Sequence, residues 1–510
     1  VPPHEGILLL LLLLPGPQVA PGMEDPTFPH PGESSQPPPR ACPWRCSCPR
    51  DDTVDCAGLD LRLFPDNITR AARHLSLQNN QLQELPYNEL SRLRGLRTLN
   101  LHNNLISSEG QHLPYAIATL SLSSNRLSYL PPSLPASLER LHLPCLLPSV
   151  APLSLGSQIL SPILSLTQNN LISKVPRGAL SRQTQLRELY LQHNLLTDSG
   201  LDATTFSKLH SLEYLDLSHN RLASVPAGLP RTLVVLNLGR NHIRQVEAAR
   251  LRGAKGLRYL LLQHNPLGAS GLPARALRPL RGLHTLHLYG NGLDRVPLAL
   301  PRRLRALVMP HNHVAVLGAR DLAATPGLTE LNLAYNRLAS AHVHHRAFHR
   351  LRALRSLDLA GNQLTLLPAG LPVALHTLRL QRNQLRTLEP ELLAGLDQLR
   401  ELSLAHNRLR VGDIGPGTWH ELQALQVLDL SHNELSFVPP DLPEALEELH
   451  LQGNRISSVG PEAFLGTPRL RALFLRANRL HMTSISAEAF LGLPHLRVVD
   501  TADNLEHVLV

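Results

Sequence analysis

Lysine is almost missing from this 510-residue chain: Lys174, Lys208 and Lys255 are the only three, so nearly all of its 49 basic residues are arginines. Aromatic residues are also scarce, 4% of the sequence against 43% hydrophobic residues in all. An interior with so few rings is filled by leucine, which suits a stack of like layers. The same scarcity leaves no interleaved patch of aromatic and basic side chains of the kind nucleic-acid modules use. There is no G-x-S-x-G elbow, no phosphate loop and no zinc-protease helix. The chain is therefore expected to bind rather than to catalyse, without cofactor or metal. Beyond Ile7–Leu14 no apolar run approaches the length a membrane helix needs, and no lipid-anchor tail is present. The net charge is +9. The planar donor fork of Arg suits sulfate and carboxylate, which makes sulfated glycans one expected partner. A coding bias toward Arg, Ala, Pro, Gly and Leu accounts for the excess as readily.

Residues 1–22 read as the remnant of a signal peptide: an apolar core at Ile7–Leu14 and small residues at Val19-Ala20, with neither an initiating Met nor a basic start. A secreted protein, whose chain here begins as a fragment, is expected. Residues 23–40 carry Pro26, Pro29, Pro31, Pro37, Pro38 and Pro39 and too few apolar residues to pack, the composition of an extended linker. Residues 41–66 hold Cys42, Cys46, Cys48 and Cys56, spaced C-x3-C-x-C-x7-C. Four cysteines so close after a secretory segment point to disulfides; Cys46-x-Cys48 is tight for two zinc ligands, and no His lies among them. Their pairing is open at this stage. Such a cap would seal the first edge of a repeat stack. Asn67-Ile68-Thr69 is the only glycosylation sequon, and Cys145 has no evident partner.

From residue 67 to 510 the pattern L-x-x-L-x-L-x-x-N recurs about eighteen times, as in Leu212-Leu215-Leu217-Asn220 and Leu425-Leu428-Leu430-Asn433. Repeats of this length build solenoids. The expected fold is an α/β-type leucine-rich-repeat solenoid, curved, with a parallel concave sheet and an irregular, turn-like or short helical convex side. The asparagines turn inward to satisfy backbone groups that the bend leaves unpaired. Their spacing carries a second order: it runs 26, 21, 24 and repeats, so that Asn194, Asn265, Asn336, Asn407 and Asn478 are each 71 apart. The short members carry prolines (Val225-Pro226, Leu229-Pro230) where the long ones carry Ala463-Phe464 or Ala489-Phe490. Residues 144–167 interrupt one repeat; deleting them joins Leu143 to Gln168-Asn169-Asn170 and restores the motif. Yet 24 residues is itself a repeat length here, so an absorbed extra layer and an extruded loop are both open.

That triplet rhythm behind a four-cysteine cap resembles the small leucine-rich proteoglycans of extracellular matrix, over roughly residues 42–510. The family usually ends in a C-terminal cysteine pair, whereas this sequence stops at Val510. Its two Ser-Gly pairs, Ser199-Gly200 and Ser270-Gly271, lie outside strongly acidic runs, so glycosaminoglycan chains are not implied. The resemblance implies fibrillar collagen, other matrix proteins and growth factors as partners. A soluble or receptor-type ectodomain capturing a globular signalling ligand is the alternative.

Side chains between the leucines alternate to the concave side. That placement nominates Arg187, Glu188, Tyr190, Tyr214, Asp216, Arg258, Tyr259, Asp358, Arg400, Glu401 and Asp429 as ligand-binding residues, with the arginines forming one edge. Tyr supplies apolar area with a polar tip, as interfaces favour. A file of His before the ladder asparagines (His193, His219, His264, His311, His406, His432) fits a turn preference. The cluster His342, His344, His345 and His349 lacks a carboxylate or Cys to complete a metal site.

Overall fold

A computed structural model of the chain describes residues 42–109, 113–145, 170–506 and 508. The expected leader (1–22), the linker (23–40) and most of the expected insertion lie outside these. Contacts divide the chain into two units, Val1–Ser173 with Tyr190–Asn194, and Lys174–Leu189 with Leu195–Val510.

The first unit starts with the cap. Disulfides Cys42–Cys48 and Cys46–Cys56 brace an antiparallel hairpin, β1 (Ser47–Arg50) with β2 (Thr53–Asp55). From β2 onward the pairing is parallel and in register: β3 (His74–Ser76), β4 (Thr98–Asn100), β5 (Thr119–Ser121) and β6 (Arg140–His142). Each strand has three residues and a central leucine at or near zero exposure: Leu75, Leu99, Leu120 and Leu141. Tyr190, the last residue of strand β7 (Glu188–Tyr190), also belongs to this unit. The ladder closes across the gap in the described residues. The Leu143 N–H donates to the Tyr190 carbonyl at 2.8 Å. Asn170 Nδ2 donates to Leu122 O at 2.7 Å and to Leu143 O at 3.3 Å, as other ladder asparagines donate to their own and the preceding repeat. Cys145, just past β6, is buried and unbridged; burial pushes its thiol up to about 11. Asn67 is exposed, as a glycan acceptor must be.

The second unit carries β8 (Tyr214–Asp216), β9 (Val235–Asn237), β10 (Tyr259–Leu261), β11 (Thr285–His287), β12 (Ala306–Val308), β13 (Glu330–Asn332), β14 (Ser356–Asp358), β15 (Thr377–Arg379), β16 (Glu401–Ser403), β17 (Val427–Asp429), β18 (Glu448–His450), β19 (Ala472–Phe474) and β20 (Val498–Asp500). Each pairs in parallel with the next, without a register shift.

The asparagine ladder explains why so short a strand can end in a sharp turn. Asn336 donates from Nδ2 to Met309 O (3.1 Å) and Leu333 O (2.9 Å), while its Oδ1 accepts the Val314 N–H (3.0 Å). The same set recurs at Asn362, Asn383 and Asn407. Wherever the residue before a ladder asparagine is described, its φ lies between +53° and +72°. His, Asn and Gly tolerate that left-handed region better than most residues, which accounts for the histidine file; Gly290, Gly361 and Gly453 hold the same place in other repeats.

The 71-residue period is visible in the backs. Single 3-10 turns sit at Ser340–His342, Val411–Asp413 and Met482–Ser484. Lone bridges Leu317–Val343, Leu388–Ile414 and Val459–Ile485 accompany them. Among the described residues helices are few and short: α1 (Tyr87–Ser91), α2 (Ala248–Leu251) and α3 (Pro390–Leu393). Among the described residues no helix is long and apolar enough to cross a membrane.

Candidate ligand-binding face

With leucine inward at the centre of each strand from β3 to β19, the residues on either side of it point outward, and in-register pairing stacks them into rows. In the first unit Tyr190 is half-buried and lies flat on His142, ring centroids 4.3 Å apart. In the second unit Arg187 is exposed and pairs with Glu213 at 3.1 Å; Glu188 and Arg258 are half-buried.

Tyr214, Asp216 and Tyr259 require a correction. They were expected to present themselves to a ligand, yet they are 7%, 6% and 1% exposed. Tyr214 and Tyr259 both register on Val235, and Tyr259 also on Thr285, which in turn registers on Ala306. This row of apolar and small residues is buried throughout. Position within one repeat cannot reveal this, because the neighbours belong to other repeats.

Over β13–β18, by contrast, no outward residue is fully buried. One row reads Glu330, Ser356, Thr377, Glu401, Val427, Glu448; the other reads Asn332, Asp358, Arg379, Ser403, Asp429, His450. Glu401 and Arg379 are exposed, and Arg400 is exposed beside them. Thr377, Arg379, Glu401, Ser403, Asp429 and His450 line a shallow depression. The nominated residues Asp358, Arg400, Glu401 and Asp429 thus fall on or beside one surface. Sequence reasoning missed Arg379, Glu448 and His450, although they occupy the same motif columns. His450 Nε2 lies 2.6 Å from Glu448 Oε1, and its ring stacks on Phe474 at 4.5 Å.

The aspartate column has a structural task as well. Oδ1 of Asp358 accepts the Ala360 N–H at 3.0 Å, and Oδ1 of Asp429 accepts the Ser431 N–H at 2.9 Å. Asp216 does the same with both N–H and hydroxyl of Ser218. These are turn caps, which leave Oδ2 for a ligand where the residue is open. Burial pushes Asp358 above the usual carboxylate range, opposed by the Ala360 N–H and by Arg379. Burial alone raises Asp216 to about 6 against the Ser218 bonds.

Two face histidines set a pH dependence. Burial lowers His142 to about 4, with the Arg140 charge adding to it; burial and His264 lower His287 to about 4. The folded state therefore holds both neutral where the unfolded chain, near the ordinary 6.5, takes up protons. Their contribution is fully present above about 6.5 and is lost as pH falls toward 4, by roughly 2 kcal/mol each at pH 4.5. Urea midpoints at pH 7.0 and 4.5 measure this, and His287→Gln should shrink the difference; an unchanged difference would remove His287 from the explanation.

Among the described residues no three His, Cys, Asp or Glu side chains converge on a metal position; His344 and His345 stack on each other.

Short parallel strands on an asparagine ladder, with polar rows facing outward, define a leucine-rich-repeat protein. A family model described as leucine rich repeat matches residues 163–222, 302–364, 372–409 and 444–505. The solved structure of a leucine-rich-repeat protein from Leptospira interrogans is similar in fold, with TM-score 0.59 and 23% identity, covering 87% of this chain and 94% of that one. Mouse podocan-like protein 1 is 67% identical, the alignment covering 100% of both chains, and human lumican is 33% identical over 52% of this chain and 78% of lumican. The chain belongs to the small leucine-rich proteoglycan family of extracellular matrix proteins, on its podocan side.

Proposed function

We propose that this is a secreted matrix-binding protein that holds fibrillar collagen on the strand face of β13–β18 and so modulates matrix assembly or growth-factor availability. The observation that carries this reading is the row pair over those six strands, in which Glu330, Arg379 and Glu401 are exposed, the rest are half-buried and both charge signs occur. A collagen triple helix is a narrow rod with solvated backbone, and its side chains bring both signs to its surface. Six strands offer about 24 Å of face along such a rod. Exposed pairs contribute little singly, so the affinity accumulates along the rows. Arg187, Glu188, Tyr190, Tyr214, Asp216, Arg258 and Tyr259 lie on or beside strands earlier than β13 and are left out of the proposed surface.

Solid-phase binding to fibrillar collagen at physiological salt tests the reading. The triple variant Arg379→Ala, Glu401→Ala, Asp429→Ala should bind roughly tenfold more weakly than the wild type, the sum of three modest pairs. Failure of the wild type to bind removes collagen as the partner and favours capture of a globular ligand. Equal binding by the variant keeps the partner and discards this surface.

A further inference from the structure

The basic residues are unevenly placed. Between Arg250 and Arg355, seventeen Lys and Arg stand against Asp294, Asp321 and Glu330, although the whole chain is only +9. Outside that stretch the chain is net acidic. Most of this excess sits at the side of the repeats where the strands begin.

Two columns carry it. In the first, the residue just before each strand lends its carbonyl to two N–H groups of the next repeat: Arg258 O to His284 and Thr285, His284 O to Arg305 and Ala306, Arg305 O to Thr329 and Glu330, Thr329 O to Arg355 and Ser356. These bonds lock Arg258, His284, Arg305, Thr329 and Arg355 into one file. The second column comes from the turn three residues earlier, closed by Leu257 N–H to Ala254 O, Leu283 to Leu280, Leu304 to Pro301 and Leu354 to Leu351. Each turn buries its two closing residues and projects the pair between them. Those pairs include Lys255, Arg281, Arg302, Arg303 and Arg352. Eight cations thus line five successive repeats, β10–β14, and neither column contains an acidic residue there. All are exposed except Arg258, which is half-buried. The ion pairs of the stretch engage Arg250 and Arg295 instead. On β15–β18 the same columns include Val373, His376, Asp397, Arg400, Gln423, Gln426, Glu444 and Glu447, three acids against one Arg, so the basic strip ends there.

We propose that this strip is a binding site for a linear sulfated polysaccharide, beside the collagen face and sharing only the repeats of β13 and β14 with it. Two charged files about 19 Å long suit an extended polyanion better than a compact one. Seven of the eight cations are Arg, whose fork can grip a sulfate through two donors. The columns contain no Phe, Tyr or Trp, and single-stranded nucleic acid is normally held by stacking on such rings. Individual exposed contacts are weak; a polyanion engages many at once and releases counterions in doing so.

The test is binding of the full chain to an immobilised heparin oligosaccharide of defined length, with its fully desulfated counterpart as control. Wild-type binding should require sulfate and weaken at least about tenfold between physiological and threefold higher salt. Arg302→Ser, Arg303→Ser, Arg305→Ser should cost at least about tenfold. Arg469→Ser, Arg471→Ser, Arg497→Ser removes as much charge from exposed positions just ahead of β19 and β20 and should cost less than about twofold. Far-ultraviolet circular dichroism and urea midpoints verify that both variants fold. Equal loss in the two variants would show diffuse attraction and overturn the site. So would absence of wild-type binding, or tighter binding of a single-stranded oligonucleotide of equal charge.

Discussion

Asn312→Ala is expected to destabilise the protein by about 3–5 kcal/mol, far more than the loss of a few side-chain atoms would suggest. Asn312 is 3% exposed. Its Nδ2 donates to Leu288 O (2.8 Å), Met309 O (3.0 Å) and Pro310 O (3.2 Å), while its Oδ1 accepts the N–H groups of Asn291 and Leu293 at 3.0 Å each. Alanine leaves these backbone groups buried without a partner or water. Asn312→Asp keeps the acceptor but deletes the donor and buries a charge, so it should be destabilising too. Because each repeat contacts only its neighbours, the damage should be local. Hydrogen exchange should accelerate around β11–β13 and leave β17–β19 slow. A destabilisation below 1 kcal/mol would mean that the ladder is ornament to the leucine stack, not its frame.

The cap should give the second large effect. Cys46–Cys56 closes a loop of ten residues, which the chain-entropy argument values at about 2–3 kcal/mol. Cys56 is fully buried and joins the cap to the first repeats: its N–H donates to Ser76 O at 2.8 Å, and its carbonyl accepts Asn80 Nδ2 at 2.9 Å. Cys46→Ser, Cys56→Ser should loosen β1 and β2 and uncover the edge of β3 together with the leucine layer behind it, an invitation to self-association. Thermal unfolding and light scattering should show an earlier onset and oligomers, and reduction of the wild type should reproduce both. An unchanged midpoint in the double variant would deny the cap its sealing role.

Much of this architecture could be read from single repeats. Leucines at period two, an asparagine four residues past the strand and a 71-residue superperiod are local patterns, and each has its counterpart in the bonds of the folded chain. The clustering of Cys42, Cys46, Cys48 and Cys56 announced disulfides, but their pairing depends on hairpin geometry that spacing does not determine. What stayed hidden depends on neighbouring layers. Tyr214 and Tyr259 are buried because of what registers beside them, at Val235 and Thr285. Asp358 and Asp429 look like free ligands in a repeat motif, yet one oxygen of each caps a turn. The basic strip is hidden for the same reason: Arg258, Arg305 and Arg355 are about fifty residues apart along the chain and become one file only when the repeats stack.

The claim that the open rows of β13–β18 are the ligand face can be tested by carboxyl footprinting, in which a carbodiimide couples an amine to accessible Asp and Glu. With soluble triple-helical collagen at saturation, labelling of Glu330, Glu401 and Asp429 should fall sharply relative to the free protein. Labelling of Glu391 and Glu462, carried on the backs of their repeats, should not change. Unaltered labelling of Glu401 in a complex shown independently to have formed, or protection of the backs instead, would contradict the assignment of this face.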